Sequence, residues 1–281
     1  MIRRIRSKSP MTYREKLEAR IASTGSHLCV GLDVRADAAT EEVKRWIIRV
    51  IEETAPYAAA FKPNSAYFEA LGWQGMRMLS QVLKAIPHEI PVILDVKRGD
   101  IGETQAYYAK ACFDDLGVDA VTLNPYMGRD TLEPFLKYAD KGLYLLGVTS
   151  NPGAKDIELQ KVGDRHVYEI VGDMCKGSDQ TGLVVGLTNA SGDVLSRIPD
   201  VPLLNPGLGA QGGDLSALKD TARKAPILVN VSRGILYAEN NVPFASAAKN
   251  WSEKIGESLG NRIFNPPHHE YSAQSRDASA A

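Results

Sequence analysis

"PVILDVKRGDIGET", residues 91–104, passes from a short apolar run straight into a cluster of opposite charges. Residues 92–94 are continuously hydrophobic rather than alternating, which is typical of a strand buried on both faces of a parallel sheet. Asp95 and Lys97 follow at once. Because residues two apart on a strand point to the same face, we expect these two side chains to pair directly.

Seven further apolar runs of this kind recur along the chain, namely "HLCVGLD", "YAAAFK", "DAVTLN", "LYLLGVT", "GLVVGL", "VPLLNPG" and "PILVNVS". The segments between them have helical periodicity, as in residues 38–55 and 72–86. Eight strand–helix units in about 250 residues predict an α/β protein with a single-domain (β/α)8 TIM barrel. An open, doubly wound sheet is the main alternative.

Three regions are predicted from composition and capping signals. Thr12 followed by Glu15 is a capping box, so a helix precedes the first strand and the barrel domain is expected to span residues 12–264. Residues 1–11 are interpreted as an N-terminal extension. Residues 265–281 are polar and aperiodic, which indicates a disordered tail.

The bulk properties limit the partners and the compartment. A net charge of -1 gives no general attraction to nucleic acid or to membranes, and no apolar run reaches the roughly 18 residues that span a bilayer. The three cysteines lack any CxxC pattern, which argues against a disulfide framework or a zinc site. We therefore expect a cytoplasmic protein that acts on a small molecule.

Charged residues close several of the apolar runs. In a (β/α)8 barrel the active site lies at the carboxyl ends of the strands, so Asp33, Lys62, Asp95 and Lys97 are expected to meet in one cavity. The alternative is an ordinary surface salt bridge, but buried lysine and aspartate are rare unless they are paired. The pattern indicates an array of alternating charges.

The last two runs end in features suited to a phosphate group. "PGLGAQGGD", residues 206–214, offers glycine-rich backbone, and Arg233 in "VSRG" can bind phosphate through two parallel hydrogen bonds. A glycine-rich loop alone is usually a turn. Its combination with an arginine at the next strand end favours a phosphate site.

Taken together, these motifs resemble those of the orotidine 5'-phosphate decarboxylase family. The segments "GLD", "FKPNSAYFE", "LDVKRGDIGET", "TSNPGA", "NPGLGAQGGD" and "VSRG" occur in the family's order and cover most of the chain. The resemblance implies catalytic and substrate-binding roles for a defined set of residues. The catalytic tetrad is Lys62, Asp95, Lys97 and Asp100, and the substrate ligands are Asp33 and Thr104 for ribose, Ser150 for the pyrimidine, and Gln211 and Arg233 for phosphate.

The same resemblance implies a reaction and an assembly. The activity would be decarboxylation of orotidine 5'-monophosphate to uridine 5'-monophosphate without a cofactor or metal, with Lys97 as the acid that protonates C6. Asp100 and Thr104 would enter the active site of the neighbouring subunit, so a homodimer with shared sites is expected. The segment after Ser150, residues 151–181, has no role implied by the charge array.

Two other functions fit parts of the pattern. Metal-dependent relatives in the same superfamily share the third-strand motif, but are expected to carry a carboxylate ligand where this chain has Lys62. Since a charged lysine cannot bind magnesium, that residue argues against them. A non-catalytic sensor of nucleotide phosphates could keep Arg233 while losing Asp95 or Lys97, yet both are present.

Overall fold

The computed structural model describes residues 11–186, 188–189, 192–206, 215–218 and 223–260. The predicted tail, nearly all of the predicted N-terminal extension, Gln211 and most of the glycine-rich loop lie outside these residues. The predicted domain limits at residues 12 and 264 therefore stay predictions.

All eight predicted strands form, and they are parallel. In chain order they are β1 (Leu28–Leu32), β2 (Ala60–Pro63), β3 (Ile93–Arg98), β4 (Ala120–Leu123), β5 (Gly142–Val148), β6 (Thr181–Val185), β7 (Leu203–Asn205) and β8 (Ile227–Val231). Their order in the sheet is β2-β1-β8-β7-β6-β5-β4-β3. Bridges from Phe61 to Val92 and from Asn64 to Asp95 connect the two ends. The predicted barrel is confirmed, and the open sheet is excluded.

Helices connect the strands and cover the outside of the barrel. They are α1 (Tyr13–Thr24), α2 (Glu41–Thr54), α3 (Ser65–Glu69), α4 (Gly72–Leu83), α5 (Gly102–Lys110), α6 (Glu133–Leu136), α7 (Val167–Met174), α8 (Gly192–Arg197), α9 (Arg233–Leu236) and α10 (Phe244–Ser258). A π-helical turn at Ala111–Asp115 continues α5, and a short hairpin pairs Lys161–Val162 with Arg165–His166.

The predicted apolar faces point inward. In α2, Ile47, Val50 and Ile51 are buried against the outer surface of the barrel, and Leu79 of α4 is completely buried there. Apart from the carboxyl-terminal part of β3, the strands are buried along nearly their whole length, as expected for a parallel sheet with helices on its outer face. This explains their continuous hydrophobic runs.

Helix α1 closes the amino-terminal end of the barrel. Thr12 and Glu15 form the predicted capping box, and Tyr13, Leu17 and Ile21 pack into a core with buried strand residues such as Cys29 and Ile93. The Tyr13 hydroxyl lies 2.9 Å from that of Tyr144 in this buried layer. In the part of the chain that the structure describes, this layer fills the amino-terminal end of the barrel.

The described residues contain no helix that is both long and apolar enough to cross a membrane. Cys29, Cys112 and Cys175 are all buried and unpaired. This agrees with the absence of a disulfide pattern in the sequence.

Leu17→Ala should destabilise the fold by about 2–5 kcal/mol, because it opens a cavity in the layer that closes the barrel. Urea unfolding measures the change. Ser23→Ala, at an exposed position of the same helix, should change the free energy of unfolding by less than about 0.5 kcal/mol. If both variants lost the same small amount, α1 would not be part of the core.

Candidate active site

A cavity of about 380 Å³ opens at the carboxyl end of the barrel. Residues at or just after the strand ends line it, and they include six of the nine predicted site residues: Asp33, Lys62, Asp95, Lys97, Ser150 and Arg233. Asn64, Thr122, Thr149, Asn151, Asn230 and Ser232 contribute further polar groups. The convergence of these strand ends, predicted from the sequence, is thus observed.

The centre of the cavity is a chain of three charged side chains. Lys62 Nζ donates to Asp95 Oδ2 at 2.7 Å, and Lys97 Nζ donates to Asp95 Oδ1 at 2.6 Å. The Lys62 side chain is 4% exposed and that of Asp95 12%, whereas that of Lys97 is 47% exposed. The array therefore has a buried anchor at one end and an ammonium group open to the cavity at the other.

Lys62 and Asp95 each stabilise the charged form of the other. Burial by itself would lower the pKa of Lys62, but Asp95 and Asp33 favour the ammonium form and hold that pKa above its ordinary value. Burial would likewise raise the pKa of Asp95, yet Lys62 and Lys97 hold it well below the usual range. Both members of the buried pair are therefore charged at neutral pH.

The backbone at Lys97 departs from the regular strand that was expected. Its φ is 45°, in the left-handed region that residues with a side chain rarely adopt, and the pairing register with β4 shifts between Leu94 and Arg98. The pair with Asp95 forms as predicted, but through this irregular geometry rather than through simple alternation. Such local strain costs about 1–3 kcal/mol and is typical of functional sites.

Thr122 of β4 supports this irregular backbone. Its hydroxyl accepts hydrogen bonds from the backbone N–H groups of Val96 at 3.0 Å and Lys97 at 2.9 Å, and donates to Asp95 Oδ1 at 3.0 Å. Thr122 is not among the site residues predicted from the sequence. A signal was present, since it is the one hydroxyl within the apolar run "AVTL".

The cavity wall between β1 and β8 presents polar atoms that are free to bind a ligand. Asp33 Oδ1, Asn230 Oδ1 and Ser232 Oγ are buried and have no hydrogen-bond partner among the described residues. Gly31 makes room for this group, because a Cβ atom there would lie 2.8 Å from the Cβ of Ser232. Asn230 was not singled out by the sequence, although it interrupts the eighth apolar run.

Two predicted site residues do not line the cavity of this chain. Asp100 follows β3, and its Oδ1 accepts from the backbone N–H of Ile101 at 2.8 Å. Thr104 is exposed on α5. A third, Gln211, lies in the part of the chain that is not described, so its predicted contact with phosphate stays a prediction.

Comparison with known proteins places this site in a family. The family model "Orotidine 5'-phosphate decarboxylase / HUMPS family" matches residues 26–248, which include every polar residue that lines the cavity. The chain belongs to this family. The family predicted from the motifs is thus confirmed.

Individual members of the orotidine 5'-phosphate decarboxylase family are similar over nearly their whole length. An orotidine 5'-phosphate decarboxylase of Herpetosiphon aurantiacus is 42% identical, with 84% of this chain and 94% of that protein covered. One of Roseiflexus is 40% identical, with 89% and 97% covered. The decarboxylase class predicted from the sequence is therefore confirmed as well.

Two solved structures share the barrel. The Leishmania donovani OMP decarboxylase superposes with a TM-score of 0.80 at 40% identity, covering 89% of this chain and 99% of that one. The Leishmania donovani UMP synthase gives a TM-score of 0.82 at 43% identity, and 89% of this chain is matched. This chain spans only 57% of the length of that UMP synthase.

Thr122→Val should lower the free energy of unfolding by about 1–3 kcal/mol, because two backbone N–H groups and the Asp95 carboxylate lose their partner. Thr122→Ser keeps the hydroxyl and should retain more stability than the valine variant. Urea unfolding of both variants gives the comparison. Equal stability of the two would show that the hydroxyl does not support the irregular backbone at Lys97.

Proposed function

We propose that this chain decarboxylates orotidine 5'-monophosphate to uridine 5'-monophosphate and carbon dioxide, with Lys97 as the catalytic acid. The observation that carries the proposal is the hydrogen-bonded chain from Lys62 through Asp95 to Lys97 at the mouth of the barrel. Membership of the decarboxylase family supports the substrate and the reaction.

Breaking the bond between C6 and the substrate carboxylate leaves an electron pair on C6, and no neighbouring carbonyl is placed to delocalise it. The stabilisation must therefore be electrostatic. The ammonium group of Lys97 lies beside the developing carbanion and then gives C6 a proton, so that carbon dioxide leaves with no net redox change. The exposed end of the array suits this role, since Lys97 faces the open cavity.

Asp95 has two functions in this proposal. It fixes the Lys97 ammonium group at 2.6 Å. It also lies near the substrate carboxylate, and the repulsion between these two carboxylates is relieved as carbon dioxide departs. Lys62 keeps Asp95 ionised from the buried side, because it holds the pKa of that carboxyl low. Lys62 acts through Asp95 and is a positioning residue.

The remaining cavity residues bind the parts of the substrate that do not react. Asp33, whose Oδ1 lacks a partner among the described residues, suits a ribose hydroxyl, and Ser150 suits the edge of the pyrimidine. Arg233, together with Gln211, would hold the phosphate through charge-assisted hydrogen bonds. Binding energy from this remote group can organise the site for the reaction at C6.

The proposed reaction uses neither a cofactor nor a metal. In metal-dependent enzymes of this superfamily a carboxylate ligand is expected at the position of Lys62, and a charged lysine cannot ligate magnesium. The 2.7 Å contact from Lys62 also occupies one oxygen of Asp95, and Lys97 occupies the other. No oxygen of Asp95 is left without a cationic neighbour.

We further propose that the enzyme is a homodimer in which Asp100 and Thr104 complete the site of the neighbouring subunit. Both residues lie outside the cavity of their own chain, with Thr104 exposed and Asp100 half-buried. Ile101, beside Asp100, is 62% exposed, and Tyr126, in the loop after β4, is 78% exposed. Exposed apolar side chains of this kind, with Ile101 directly next to Asp100, suit a subunit interface.

The proposed partners are otherwise limited to the small-molecule substrate, with no nucleic acid and no membrane. The net charge of -1 gives no broad electrostatic attraction to either. The three unpaired cysteines suit a reducing compartment, which supports the proposed cytoplasmic location.

Purified protein should consume orotidine 5'-monophosphate in the presence of EDTA, and the loss of pyrimidine absorbance measures the rate. Lys97→Ala should lower kcat by about 10²–10⁴-fold or more, because both the fixed charge and the proton donor are removed. Lys84→Ala, at an exposed site on the outer side of the barrel, should leave the rate unchanged. Near-normal turnover by Lys97→Ala would refute its role.

The shared site can be tested by co-refolding Lys97→Ala with Asp100→Ala. If Asp100 acts in the neighbouring subunit, each mixed dimer contains one site with both substitutions and one intact site, and activity returns. Each variant alone should be nearly inactive. Mixed dimers confirmed by differential tags but devoid of activity would contradict the shared arrangement.

A further inference from the structure

The segment after β5 contains a carboxylate, Glu158, that has no part in the charge array. The backbone N–H of Thr149 donates to Glu158 Oε2 at 2.7 Å, and the Thr149 hydroxyl lies 2.9 Å from Glu158 Oε1. Thr149 immediately precedes Ser150 and itself lines the cavity. Glu158 lies outside the cavity and therefore fixes, through Thr149, the loop after β5 that carries Ser150.

The same loop is also held by the connection after β6. Asn189 Nδ2 donates to the carbonyl oxygen of Thr149 at 2.8 Å and to that of Asn151 at 2.9 Å. These two carbonyls lie on either side of Ser150 in the chain. The backbone of Ser150 is thus fixed at both of its neighbours.

Ser150 also packs closely against Gly186. A Cβ atom at position 186 would lie 2.7 Å from the backbone nitrogen of Ser150 and 2.9 Å from its Cα and Cβ. The Gly186 N–H also donates to the carbonyl of Val148 at 2.6 Å. Because Gly186 lies this close, there is no space for Ser150 to move away from the cavity.

Glu158 is itself fixed by the segment whose role the sequence left open. The backbone N–H of Tyr168, in α7, donates to the Glu158 carbonyl at 3.1 Å. Next to it, the N–H of Leu159 donates to the carbonyl of Ala154 at 3.1 Å, and His166 Nδ1 lies 2.8 Å from the Leu159 carbonyl. The hairpin and α7 therefore hold the backbone at Glu158 and Leu159, from which the Glu158 carboxylate reaches Thr149.

From these contacts we infer that Glu158 is a positioning residue, which orients Ser150 for recognition of the pyrimidine edge. The inference rests on the proposed function, because it takes Ser150 as the base-reading residue. Glu158 reaches Ser150 through Thr149, whereas the phosphate ligand Arg233 lies on α9, in a different part of the barrel. Loosening the loop should therefore weaken contacts with the base and leave contacts with the phosphate intact.

The test compares two ligands that share the ribose phosphate, of which only one carries the pyrimidine base. Competitive inhibition constants are measured for uridine 5'-monophosphate and for ribose 5-phosphate, along with kcat/KM for orotidine 5'-monophosphate. Glu158→Gln should raise the inhibition constant of uridine 5'-monophosphate about tenfold, as expected for loss of a charged hydrogen-bond acceptor. Glu158→Ala should raise that constant further. Inhibition by ribose 5-phosphate should change by less than about twofold.

Asp156→Asn is the matched control, because it removes an exposed carboxylate from the same segment and should change neither constant. Equal weakening of both ligands, or no weakening of uridine 5'-monophosphate, would overturn the positioning role. Glu158→Gln retains the size of the side chain and one acceptor oxygen, so it provides a folded variant even if the alanine variant unfolds. A wild-type protein that fails to decarboxylate orotidine 5'-monophosphate would instead count against the proposed function.

Discussion

The carboxylate of Asp95, shared between two ammonium groups, is the interaction on which the site depends. Lys62 is buried almost completely, and an isolated charge there would be strongly destabilising. Asp95 compensates that charge with one oxygen and fixes Lys97 with the other. The Asp95 carboxylate thus stabilises the buried charge of Lys62 and also holds the Lys97 cation in the cavity.

The apolar layer that closes the barrel and the polar site lie at opposite ends of the barrel axis. Helix α1 fills the amino-terminal end with Tyr13, Leu17 and Ile21, and this layer contains no group that the proposed chemistry uses. The carboxyl end carries the polar residues, the unpartnered oxygens and the left-handed backbone at Lys97. Strain and buried charge are tolerated there because eight hydrogen-bonded strands hold the surrounding backbone.

Supporting hydrogen bonds recur behind the residues that face the cavity. Thr122 holds the backbone of Lys97, Glu158 and Asn189 hold the loop that presents Ser150, and Tyr237 holds the loop after β1, where its hydroxyl accepts from the N–H of Arg35 at 2.7 Å. Each supporting group comes from a different strand–helix unit than the group it supports, Glu158 excepted. Preorganisation of this kind lets the site stabilise developing charge without rearrangement.

The sequence by itself determined the eight strands, the barrel, the strand-end charges and the family, because burial on both faces and fixed motif spacing leave a direct record in the order of residues. It also indicated the pairing of Asp95 with Lys97. Only the tertiary structure decided the rest: the irregular backbone at Lys97, its support by Thr122, the unpartnered Oδ1 of Asn230, and the attachment of Glu158 to Thr149. The physical reason is that these features depend on contacts between separate strands and loops, whose register and approach no local pattern specifies.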